Sequence, residues 1–550
     1  MKASDLMVEC LELEGIEYIF GVPGEENADF MISLEKSNKI KFILTRHEQG
    51  AAFMAEIYGR MTGTPAACLG TLGPGATNLI TGVADGNMDR APMLVLTGQG
   101  STKRLHKESH QIMDVVKMFE PVTKWATTIL HADTIPEIIR KAVRIARSEK
   151  PGAVLVELPE DVAEHETTAV PMRPIRFRRP VASAEMIDIA VDKIKSAKQP
   201  VILAGNGCIR KRAAENLRAF VDTTQIGVLN TFMAKGAIDY DSPHSLFTVG
   251  LGSKDIGTLA IDEADLVITI GFDMVEYHPS LWNEKGKKSI IHLDFIPAEI
   301  DSAYHPEIEL VGDVATTLAA LNKRFSEMAG VKFNLPSQAQ SREKMLLELD
   351  AHNNDMTSGV IKPQKVLHDV QAVYGDDGLL LSDVGAHKMW IARHYHCKTP
   401  NGCLIPNGFC SMGFALPGAI AASLVDPQRK VMGIAGDAGF LMNVQEMETA
   451  RRLNSNITMM VWEDNQYGLI AWKQWAHFGH HTDLSFGNPH WGKLAEAFGW
   501  NFQHVTKSAN LSNAIQQEAE HTGPSLIVIP IDYAENRKLT KHLGEITCVV

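Results

Sequence analysis

The sequence predicts an α/β protein in which three domains each contain a doubly wound parallel sheet. Short apolar runs alternate with longer helical patterns from one end of the chain to the other, which is typical of domains with helices on both faces of a parallel sheet. Several of these runs stop at Gly or Asp, as buried parallel strands do when the loop at their carboxyl end carries function. At 550 residues, the chain is too long for a single hydrophobic core.

Twelve apolar runs are predicted strands, and at about four to six strands per sheet they indicate three sheets. The predicted strands are 17–21, 41–45, 66–70, 93–98, 153–158, 200–205, 266–271, 289–294, 378–383, 431–436, 457–462 and 525–530.

Two polar stretches divide the predicted strands into groups. Residues 165–184 lack hydrophobic periodicity and are rich in Pro, which indicates a linker. Residues 336–363 contain a predicted helix but no strand. We therefore predict three domains and a surface tail, with these bounds: 1–165, 185–335, 360–535 and 536–550.

Composition narrows the class of protein. A net charge of −13 and a pI near 5.9 argue against a general nucleic-acid or anionic-membrane partner. No run of about eighteen apolar residues is present, so no transmembrane helix is predicted, and charges interrupt the first residues, unlike a signal peptide. The seven cysteines are scattered and form no CxxC, which favours reduced, buried thiols in a cytoplasmic protein. A catalytic cysteine stays open as an alternative.

Glu48 is the first candidate functional residue. It follows a predicted strand and opens a helix with Ala51, Ala52 and Ala55 along it. A structural interpretation is an acid in the first helical turn, where the helix dipole favours negative charge. A functional interpretation is a carboxyl group that Ala-rich packing dehydrates, which would raise its pKa.

A Gly-Pro-Gly turn is the second candidate. Pro74 and Gly75 follow a predicted strand, in a tight turn where backbone can approach a flat ligand closely. Asn78 could supply an amide donor and acceptor beside it. Turns of this type are common in purely structural roles, so the motif alone leaves both interpretations open.

Two aspartates at strand ends form the third candidate. Asp437 and Asp464 are 27 positions apart, enough for a loop, a helix predicted at 440–453 and the next strand of one βαβ unit. If the strands are neighbours, both carboxylates reach one crevice. Gly436 and Gly439 would leave backbone amides open to an anion. Two carboxylates with a diphosphate suit Mg²⁺, whereas the alternative is a pair of unrelated turn residues.

Two further motifs are weaker. Gly205 and Gly207 follow a strand, but Arg210 stands where a dinucleotide motif has its third glycine. The histidines within 477–481 lack acidic or Cys partners at metal-binding spacing, so we interpret them as a polar loop.

Taken together, the three candidate sites resemble the thiamine-diphosphate (ThDP) enzymes of the pyruvate-decarboxylase and acetolactate-synthase superfamily. The likeness covers nearly the whole chain in the same order, and as a set its motifs are highly specific. Those similar to the pyrimidine-binding domain are FGVPGEENADF, RHEQGAAFMAEIYGR, GPGATNLITGVADG and APMLVLTGQ, and the one similar to the diphosphate-binding signature is GDAGFLMNVQEMETA followed by VWEDNQYG.

Within that superfamily the chain is most similar to the acetolactate synthases, and particularly to their catabolic, flavin-independent branch. The anabolic branch usually has an RFDDR-type stretch that contacts FAD, whereas this chain has GFDMVEY at 271–277. Together with Arg210, that departure makes FAD an unlikely cofactor.

The resemblance implies a role for each matching residue. Glu48 would hydrogen-bond the aminopyrimidine ring of ThDP and favour the tautomer that removes the thiazolium proton. Asp437 and Asp464 would bind Mg²⁺ with the backbone carbonyl of Gln466. Asn465 would be mistaken for the ligand if the register slipped by one residue.

Further roles follow from the same resemblance. Met412 would hold the cofactor in its bent form and His387 would contact the diphosphate. Gln111 would lie in the active site, and Phe119 and Lys124 would line the approach to the thiazolium. The full set of implied cofactor-binding residues, beside Met412 and His387, is Gly24, Pro74, Gly75, Asn78, Gly436, Ala438, Gly439 and Tyr467.

The implied reaction is decarboxylation of pyruvate and ligation to a second pyruvate, giving 2-acetolactate and CO₂. A homo-oligomer is also implied, a dimer at least and a tetramer by preference, because the two halves of the cofactor site come from different subunits. The alternatives are a related carboligase or decarboxylase acting on another 2-oxo acid or an aldehyde, and a ThDP-binding protein without turnover.

Two departures from the family pattern bear on that reaction. Ala438 stands where the family usually has the second Gly of GDG, and would be strained by about 1 kcal/mol if the position required a positive φ. Lys473 lies near a position that is usually Trp or Gln. A cation there could favour an acceptor that carries a carboxylate.

Overall fold

The computed structural model describes residues 1–175, 179–210, 212–252, 254–327, 331–351, 360–537 and 539. In this part of the chain eighteen strands form three six-stranded sheets, and every strand pair is parallel. The predicted class, three parallel-sheet α/β domains, is confirmed.

The first domain holds a sheet of order β2-β1-β3-β4-β6-β5. Its strands are β1 (Tyr18–Gly21), β2 (Lys41–Leu44), β3 (Ala66–Gly70), β4 (Met93–Gln99), β5 (Trp125–Thr128) and β6 (Ala153–Pro159). Its helices are α1 (Ala3–Leu13), α2 (Ala28–Glu35), α3 (Glu48–Thr62), α4 (Pro74–Met88), α5 (Val115–Phe119), α6 (Ile135–Arg147) and α7 (Glu160–Glu164).

The central domain holds a sheet of order β12-β11-β10-β7-β8-β9. Its strands are β7 (Pro200–Ala204), β8 (Val228–Asn230), β9 (Ser245–Thr248), β10 (Leu266–Ile270), β11 (Ser289–Asp294) and β12 (Ile308–Val311). Its helices are α8 (Ala184–Ser196), α9 (Ala213–Thr224), α10 (Thr258–Glu263), α11 (Val314–Ser326) and α12 (Pro336–Asp350).

The third domain holds a sheet of order β14-β13-β15-β16-β18-β17. Its strands are β13 (Leu379–Ser382), β14 (Cys403–Leu404), β15 (Val431–Gly436), β16 (Ile457–Glu463), β17 (Asn501–His504) and β18 (Ser525–Pro530). Its helices are α13 (Pro363–Tyr374), α14 (Ala386–His394), α15 (Ala415–Val425), α16 (Asp437–Met442), α17 (Glu446–Arg452), α18 (Gly468–Phe478), α19 (Trp491–Phe498) and α20 (Ser508–Glu520).

All twelve predicted strands are present. The six that the sequence did not reveal are β5, β8, β9, β12, β14 and β17, and all but β8 lie at the edges of their sheets. Strands β5 and β17 are only partly buried and β14 has two residues. Edge strands lack the continuous apolar run by which a buried parallel strand is recognised.

The helix predicted at 440–453 is wrong in one respect, because it is two helices. Helix α16 ends at Met442 and α17 begins at Glu446. At the break, the Nδ2 atom of Asn443 donates a hydrogen bond to the backbone oxygen of Gly413 at 2.8 Å. An Asn side chain that bonds to another segment competes with continued helix.

The domains are packed closely on one another. Helix α3 of the first domain lies against α4 and α15, and the rings of Phe53 and Phe414 meet edge to face at 5.7 Å. Helix α12, in the predicted boundary region, packs on the central domain, where Gln338 and Arg342 donate to the backbone oxygens of Pro200 and Ser245. The bounds of the domains stay predictions, and of the tail 536–550 only three residues lie within the described part.

The six described cysteines are all free, and Cys548 lies outside the described residues. No helix in that part of the chain is long and apolar enough to cross a membrane.

Candidate active site

Two carboxylates of the third domain meet at the carboxyl edge of its sheet. Strands β15 and β16 are parallel neighbours, with Gly436 paired to Trp462, so the residues that follow the two strands emerge at the same edge. Asp437 begins α16, and its Oδ2 atom accepts hydrogen bonds from the backbone N–H groups of Asp464 at 3.3 Å and Asn465 at 2.7 Å. The structure thus brings together the two aspartates that the sequence singled out.

Asp464 has a carboxylate oxygen without a hydrogen-bond donor. Its Oδ2 atom is buried and has no partner among the described residues. Burial, and then the charge of Asp437, raise the pKa of Asp464 to about 7. A Cβ atom on Gly468 would lie 2.4 Å from this oxygen, so the glycine lets the chain pass close to it. An unpaired carboxylate oxygen beside a second carboxylate suits a hard divalent cation such as Mg²⁺.

The side chains of Asn465 and Asp464 have different surroundings. It has a positive φ of 57°, and its Oδ1 atom accepts a hydrogen bond from Asn488 at 3.0 Å. Asp464 lines the cavity described next, whereas Asn465 does not. This geometry favours Asp464 over Asn465 as a metal ligand.

A cavity with about 540 Å³ of empty space opens beside the two aspartates. Many of the residues named from the sequence line it, namely His387, Met412, Gly436, Asp437, Ala438, Gly439, Asp464, Gln466 and Tyr467. Its other lining residues are Val384, Gly385, Ala386, Gly468, Leu469, Ile470 and Tyr533. Every one of these residues belongs to the third domain.

His387 adds a second buried polar atom without a partner. It is 2 % exposed, and its Nε2 atom has no hydrogen bond among the described residues. Burial lowers the pKa of His387 to about 3, so the ring is neutral at physiological pH. Together with the free oxygen of Asp464, this atom indicates that the cavity is built for a polar, metal-bound ligand.

The Gly-Asp-Ala-Gly loop is not strained at its alanine. Ala438 lies in the first turn of α16 with helical backbone, so the strain considered from the sequence does not arise. A Cβ atom on Gly439 would instead lie 2.7 Å from Asp383 Oδ1. In this loop the glycine needed for space is therefore Gly439.

Three residues at the site were missed by sequence reasoning. Asp383 lies behind the cavity and accepts hydrogen bonds from the backbone N–H groups of Val384, Gly413 and Ala415 at 2.8–3.0 Å, and burial raises its pKa to about 6. It follows β13, so the strand-end pattern that revealed Asp437 could have found it.

The other two missed residues come from loops without a recognisable pattern. Asn488 donates from Nδ2 to Asp437 Oδ2 at 2.8 Å and to Glu463 Oε1 at 3.1 Å, which joins the segments that follow β15 and β16. Tyr533 closes the cavity and packs on Trp462 with ring centroids 6.2 Å apart.

The first-domain residues form a separate group around Glu48. Glu48 is 8 % exposed, and its Oε2 atom accepts a hydrogen bond from Asn78 Nδ2 at 3.0 Å. A Cβ atom on Gly75 would lie 3.4 Å from Glu48 Oε1. A Cβ atom on Gly73 would lie 3.0 Å from the Cβ atom of Gln111, which is exposed beside the turn. The Gly-Pro-Gly turn that contains Pro74 therefore carries backbone up to the glutamate.

Gly24 lies at the edge of the same group. A Cβ atom at that position would lie 2.4 Å from Thr71 Cβ, so no larger residue fits. Thr71 is also close to Gly75. Its hydroxyl donates a hydrogen bond to Glu26 Oε2 at 2.9 Å.

Two predicted catalytic residues lie elsewhere. Phe119 is fully buried in the core between the first and third domains. Lys124 precedes β5, at the amino edge of the sheet, and its Nζ atom donates to three backbone oxygens near the end of α6, those of Ile145, Ser148 and Lys150, each at 2.7 Å. Burial lowers the pKa of Lys124 to about 8. Because the other first-domain residues follow strands and lie at the carboxyl edge, we leave both residues out of the proposed site.

Lys473 lies on α18, half-buried. It is one helical turn beyond Leu469 and Ile470, which line the cavity, and residues three and four apart share a helix face. The side chain is thus placed on the face of α18 nearest the cavity.

Comparison with known proteins also indicates three domains. Family models of thiamine pyrophosphate enzymes match the N-terminal TPP binding domain at residues 1–118, the central domain at 187–321 and the C-terminal TPP binding domain at 383–529. The chain is a thiamine-diphosphate enzyme. The relatives narrow the family further.

Acetolactate synthase of Bacillus subtilis is 34 % identical over 560 residues, which cover 99 % of this chain and 96 % of that protein. The catabolic acetolactate synthase of Raoultella terrigena is 33 % identical and covers 99 % and 98 %. A probable acetolactate synthase large subunit of Methanococcus aeolicus is also 33 % identical, and covers 100 % and 95 %. The chain belongs to the acetolactate synthase family, as the sequence motifs predicted.

In this family member, the crevice of the central domain is filled by the chain itself. A Cβ atom on Gly205 would lie 2.5 Å from the backbone oxygen of Gly271, so the loops after β7 and β10 are in contact. The carboxylate of Glu276 accepts hydrogen bonds from the backbone N–H groups of Asn206 at 3.0 Å and Asp273 at 3.1 Å. These are the amides that a nucleotide phosphate would need.

An ion-pair network joins that crevice to the first domain. Lys150 pairs with Asp273 and, at 3.0 Å, with Asp294, while Arg90 Nε lies 3.1 Å from Asp273. Arg210, which replaces the third glycine of the dinucleotide pattern, lies over the ring of Phe295 at 5.4 Å.

Proposed function

We propose that this protein is an acetolactate synthase that uses ThDP and Mg²⁺ to convert two molecules of pyruvate into 2-acetolactate and CO₂. The observation that carries the proposal is the free Oδ2 atom of Asp464 beside Asp437 in the third-domain cavity. Relatives named acetolactate synthase, which align with this chain over nearly their whole length, support the choice of reaction.

Third-domain residues would bind the metal and the diphosphate. Asp437, Asp464 and the backbone carbonyl of Gln466 would hold Mg²⁺, which usually takes only a few protein oxygens and completes its shell with phosphate and water. His387 Nε2, which has no other partner, would contact the diphosphate. The large side chain of Met412 lies in the cavity wall, where it would press against the bound cofactor and keep it bent.

First-domain residues would hold the reactive end of the cofactor. When bound, ThDP supplies a positively charged thiazolium ring that takes up the electron pair released when pyruvate loses CO₂. Glu48 would hold a proton against the pyrimidine ring, with its carboxylate fixed by Asn78 and little exposed to water. Gly24, Pro74 and Gly75 would let backbone approach the ring. Gln111 would face the reacting carbon.

A homodimer is the smallest complete unit in this proposal, and a tetramer is the proposed form. Within one chain, the described residues that line the cavity all belong to the third domain, while Glu48 and its neighbours form a separate group in the first. A site that needs both groups would be completed by the first domain of a second copy. The free cysteines and acidic charge support a cytoplasmic location.

FAD is not part of the proposal. The carboxylate of Glu276 takes the backbone amides of Asn206 and Asp273 that a nucleotide phosphate would otherwise bind. These amides are therefore already paired and are not free to bind a phosphate.

The acceptor is the least constrained part of the reaction. Lys473 could pair with the carboxylate of a second 2-oxo acid, which fits pyruvate and also fits other 2-oxo acids. Aldehyde acceptors lack this charge and are disfavoured. The retention of Glu48 with Asp437 and Asp464 favours an active enzyme over a ThDP-binding protein without turnover.

The proposal is tested by incubating the purified chain with ThDP, Mg²⁺ and pyruvate and identifying products by NMR. CO₂ and 2-acetolactate in equal amounts are expected, with no product when Mg²⁺ is replaced by a chelator. Acetaldehyde, acyloins from added aldehydes, or no reaction at all would overturn it.

A further inference from the structure

Three buried carboxylates lie outside the cavity, where the first and third domains meet. Glu56 lies on α3, Asp85 on α4 and Asp89 at the end of α4, and each is at most 1 % exposed. One oxygen from each lies within 4.8 Å of the others. The guanidinium of Arg60 lies 3.1 Å from Asp89 and 3.4 Å from Glu56. Arg60 thus pairs with two of the three acids, and the charge of Lys388 also acts on Asp89, in a region that takes no part in the proposed reaction.

These acids bind the main chain of the segment that carries Met412, which we call the Met412 loop (residues 405–414). The carboxylate of Asp89 accepts hydrogen bonds from the backbone N–H groups of Asn407 at 3.2 Å and Gly408 at 2.7 Å. Asp85 Oδ1 accepts from the N–H of Ser411 at 2.9 Å. Hydrogen bonds from backbone N–H groups to carboxylates are among the stronger ones in proteins.

The Met412 loop is held from its other side by the third domain. Asp383 accepts hydrogen bonds from the N–H groups of Gly413 at 3.0 Å and Ala415 at 2.9 Å. Met412 therefore lies between one residue held by Asp85 and another held by Asp383.

The backbone of the Met412 loop requires such support. Cys410 has a φ of +61°, a conformation that L residues with side chains rarely adopt. Residues in such conformations persist only where surrounding contacts fix them. Two of the fixing contacts, Asp85 to Ser411 and Asp383 to Gly413, flank Met412 directly.

The acids can remain buried because burial and their mutual repulsion favour the protonated form. Burial and the neighbouring acids raise the pKa of both groups, that of Asp85 to about 8. Protonation reduces the negative charge that Arg60 and the nearby Lys388 have to balance.

We propose that Asp85 and Asp89 are positioning residues that fix the position of Met412 in the wall of the cofactor cavity. The proposal rests on the assignment of that cavity to ThDP. It also gives α3 and α4 two tasks, because Glu48 and Asn78 lie near their N-terminal ends while their C-terminal ends hold the Met412 loop. On α3 this contact is made by Arg60, whose Nη2 atom donates to the backbone oxygen of Ile405 at 3.2 Å, and on the end of α4 by Asp85 and Asp89. Eight helical residues separate Glu48 from Glu56, or about 12 Å along the axis.

The test compares Asp85→Leu, which has no acceptor for the Ser411 amide, with Asp85→Asn, which keeps an acceptor oxygen. Three quantities are measured: kcat, the dissociation constant of ThDP at saturating Mg²⁺, and the rate at which the C2 proton of bound ThDP exchanges with D₂O in the absence of pyruvate. For Asp85→Leu we expect kcat and exchange to fall about tenfold or more, because displacements near 1 Å are costly at a reacting centre. The affinity for ThDP should change less than about threefold, and Asp85→Asn should resemble wild type.

A double-mutant cycle separates positioning from general destabilisation. In a Met412→Ala background, Asp85→Leu should lower kcat by less than about twofold, because its effect passes through the missing side chain. A full tenfold loss in that background would overturn the proposal. So would wild-type kcat and exchange in Asp85→Leu itself. If Asp85→Leu does not fold, Asp85→Ser is used, since its hydroxyl is too short to replace the carboxylate.

Asp273→Leu is the matched control, because it removes a similarly buried interdomain carboxylate that does not contact the Met412 loop. Folded Asp273→Leu protein should exchange the C2 proton at the wild-type rate, and an equal loss in this variant would also overturn the proposal. Wild-type protein that binds no ThDP would instead refute the assignment of the cavity, so the two failures are distinguishable.

Discussion

Asn78 Nδ2 donates a hydrogen bond to Glu48 Oε2 at 3.0 Å and so joins the first turns of α3 and α4. The amide fixes one oxygen of the carboxylate, while the other lies beside Gly75, where a Cβ atom would be 3.4 Å away. The glutamate is therefore oriented before any ligand arrives, which is the condition for efficient proton transfer.

Glu48→Gln is expected to slow exchange of the C2 proton of bound ThDP by about a hundredfold or more, because an amide cannot hold the proton that the pyrimidine ring requires. The affinity for ThDP should change little, since the diphosphate contacts are in the third domain. NMR of acid-quenched cofactor measures the exchange. Glu35→Gln, the same change at an exposed position on α2, is the control, and near-normal exchange in Glu48→Gln would show that its role is different.

Hybrid dimers test the origin of the two halves of the site. Glu48→Gln and Asp437→Ala are each expected to be inactive, yet a hybrid with one chain of each kind would contain one site with both residues intact. Activity should therefore reappear on co-expression, at up to half the wild-type value per dimer. Differently tagged chains allow the hybrid to be purified. If each site were made by one chain, every hybrid would be inactive.

Metal affinity distinguishes Asp464 from its neighbour. Asp464→Ala removes the unpaired oxygen that faces the cavity, and should raise the Mg²⁺ concentration for half-maximal ThDP binding by about tenfold or more. Asn465→Gly keeps the positive φ of this residue and should change it by less than about threefold. Titration of apoenzyme with Mg²⁺ at fixed ThDP measures both. The reverse order of effects would assign the ligand to Asn465.

Glu157 provides a pH dependence of stability that is independent of the cofactor. Burial raises the pKa of Glu157 to about 7, whereas an unfolded chain has a value of about 4.3. The folded state thus holds the proton more tightly, so stability falls as the pH rises between these two values and the loss is complete above about 7.

Glu157→Gln removes the charge and keeps an oxygen to accept the hydrogen bond from Gln99. At pH 8 we expect its first unfolding transition to be more stable than that of wild type by up to about 3 kcal/mol, and the difference should shrink steadily toward pH 4. Urea unfolding across this pH range measures it. A difference that does not vary with pH would mean that the charge of Glu157 is not its cause.

The sequence predicted those parts of the molecule whose position in the fold follows from a local sequence pattern. Buried strands appear as apolar runs, and the residue after such a strand must lie at the carboxyl edge of a parallel sheet, so Asp437 and Asp464 were found together. Lys124 was named from the resemblance alone and not from this rule, and it precedes its strand and lies at the opposite edge. Asn488 follows no strand, and only folding brings its amide to Asp437.

The ion pairs among Lys150, Asp273 and Asp294 limit how this protein can be divided. The linkers in the sequence suggest that the central domain could be deleted to leave a minimal pair of cofactor-binding domains. Such a truncation would remove the partners of Lys150 and Arg90 and expose to water the face of the first domain that the central domain covers. The domains are separate segments of the sequence, but they stabilise one another through these contacts. A shortened enzyme would therefore need compensating substitutions on the newly exposed face of the first domain.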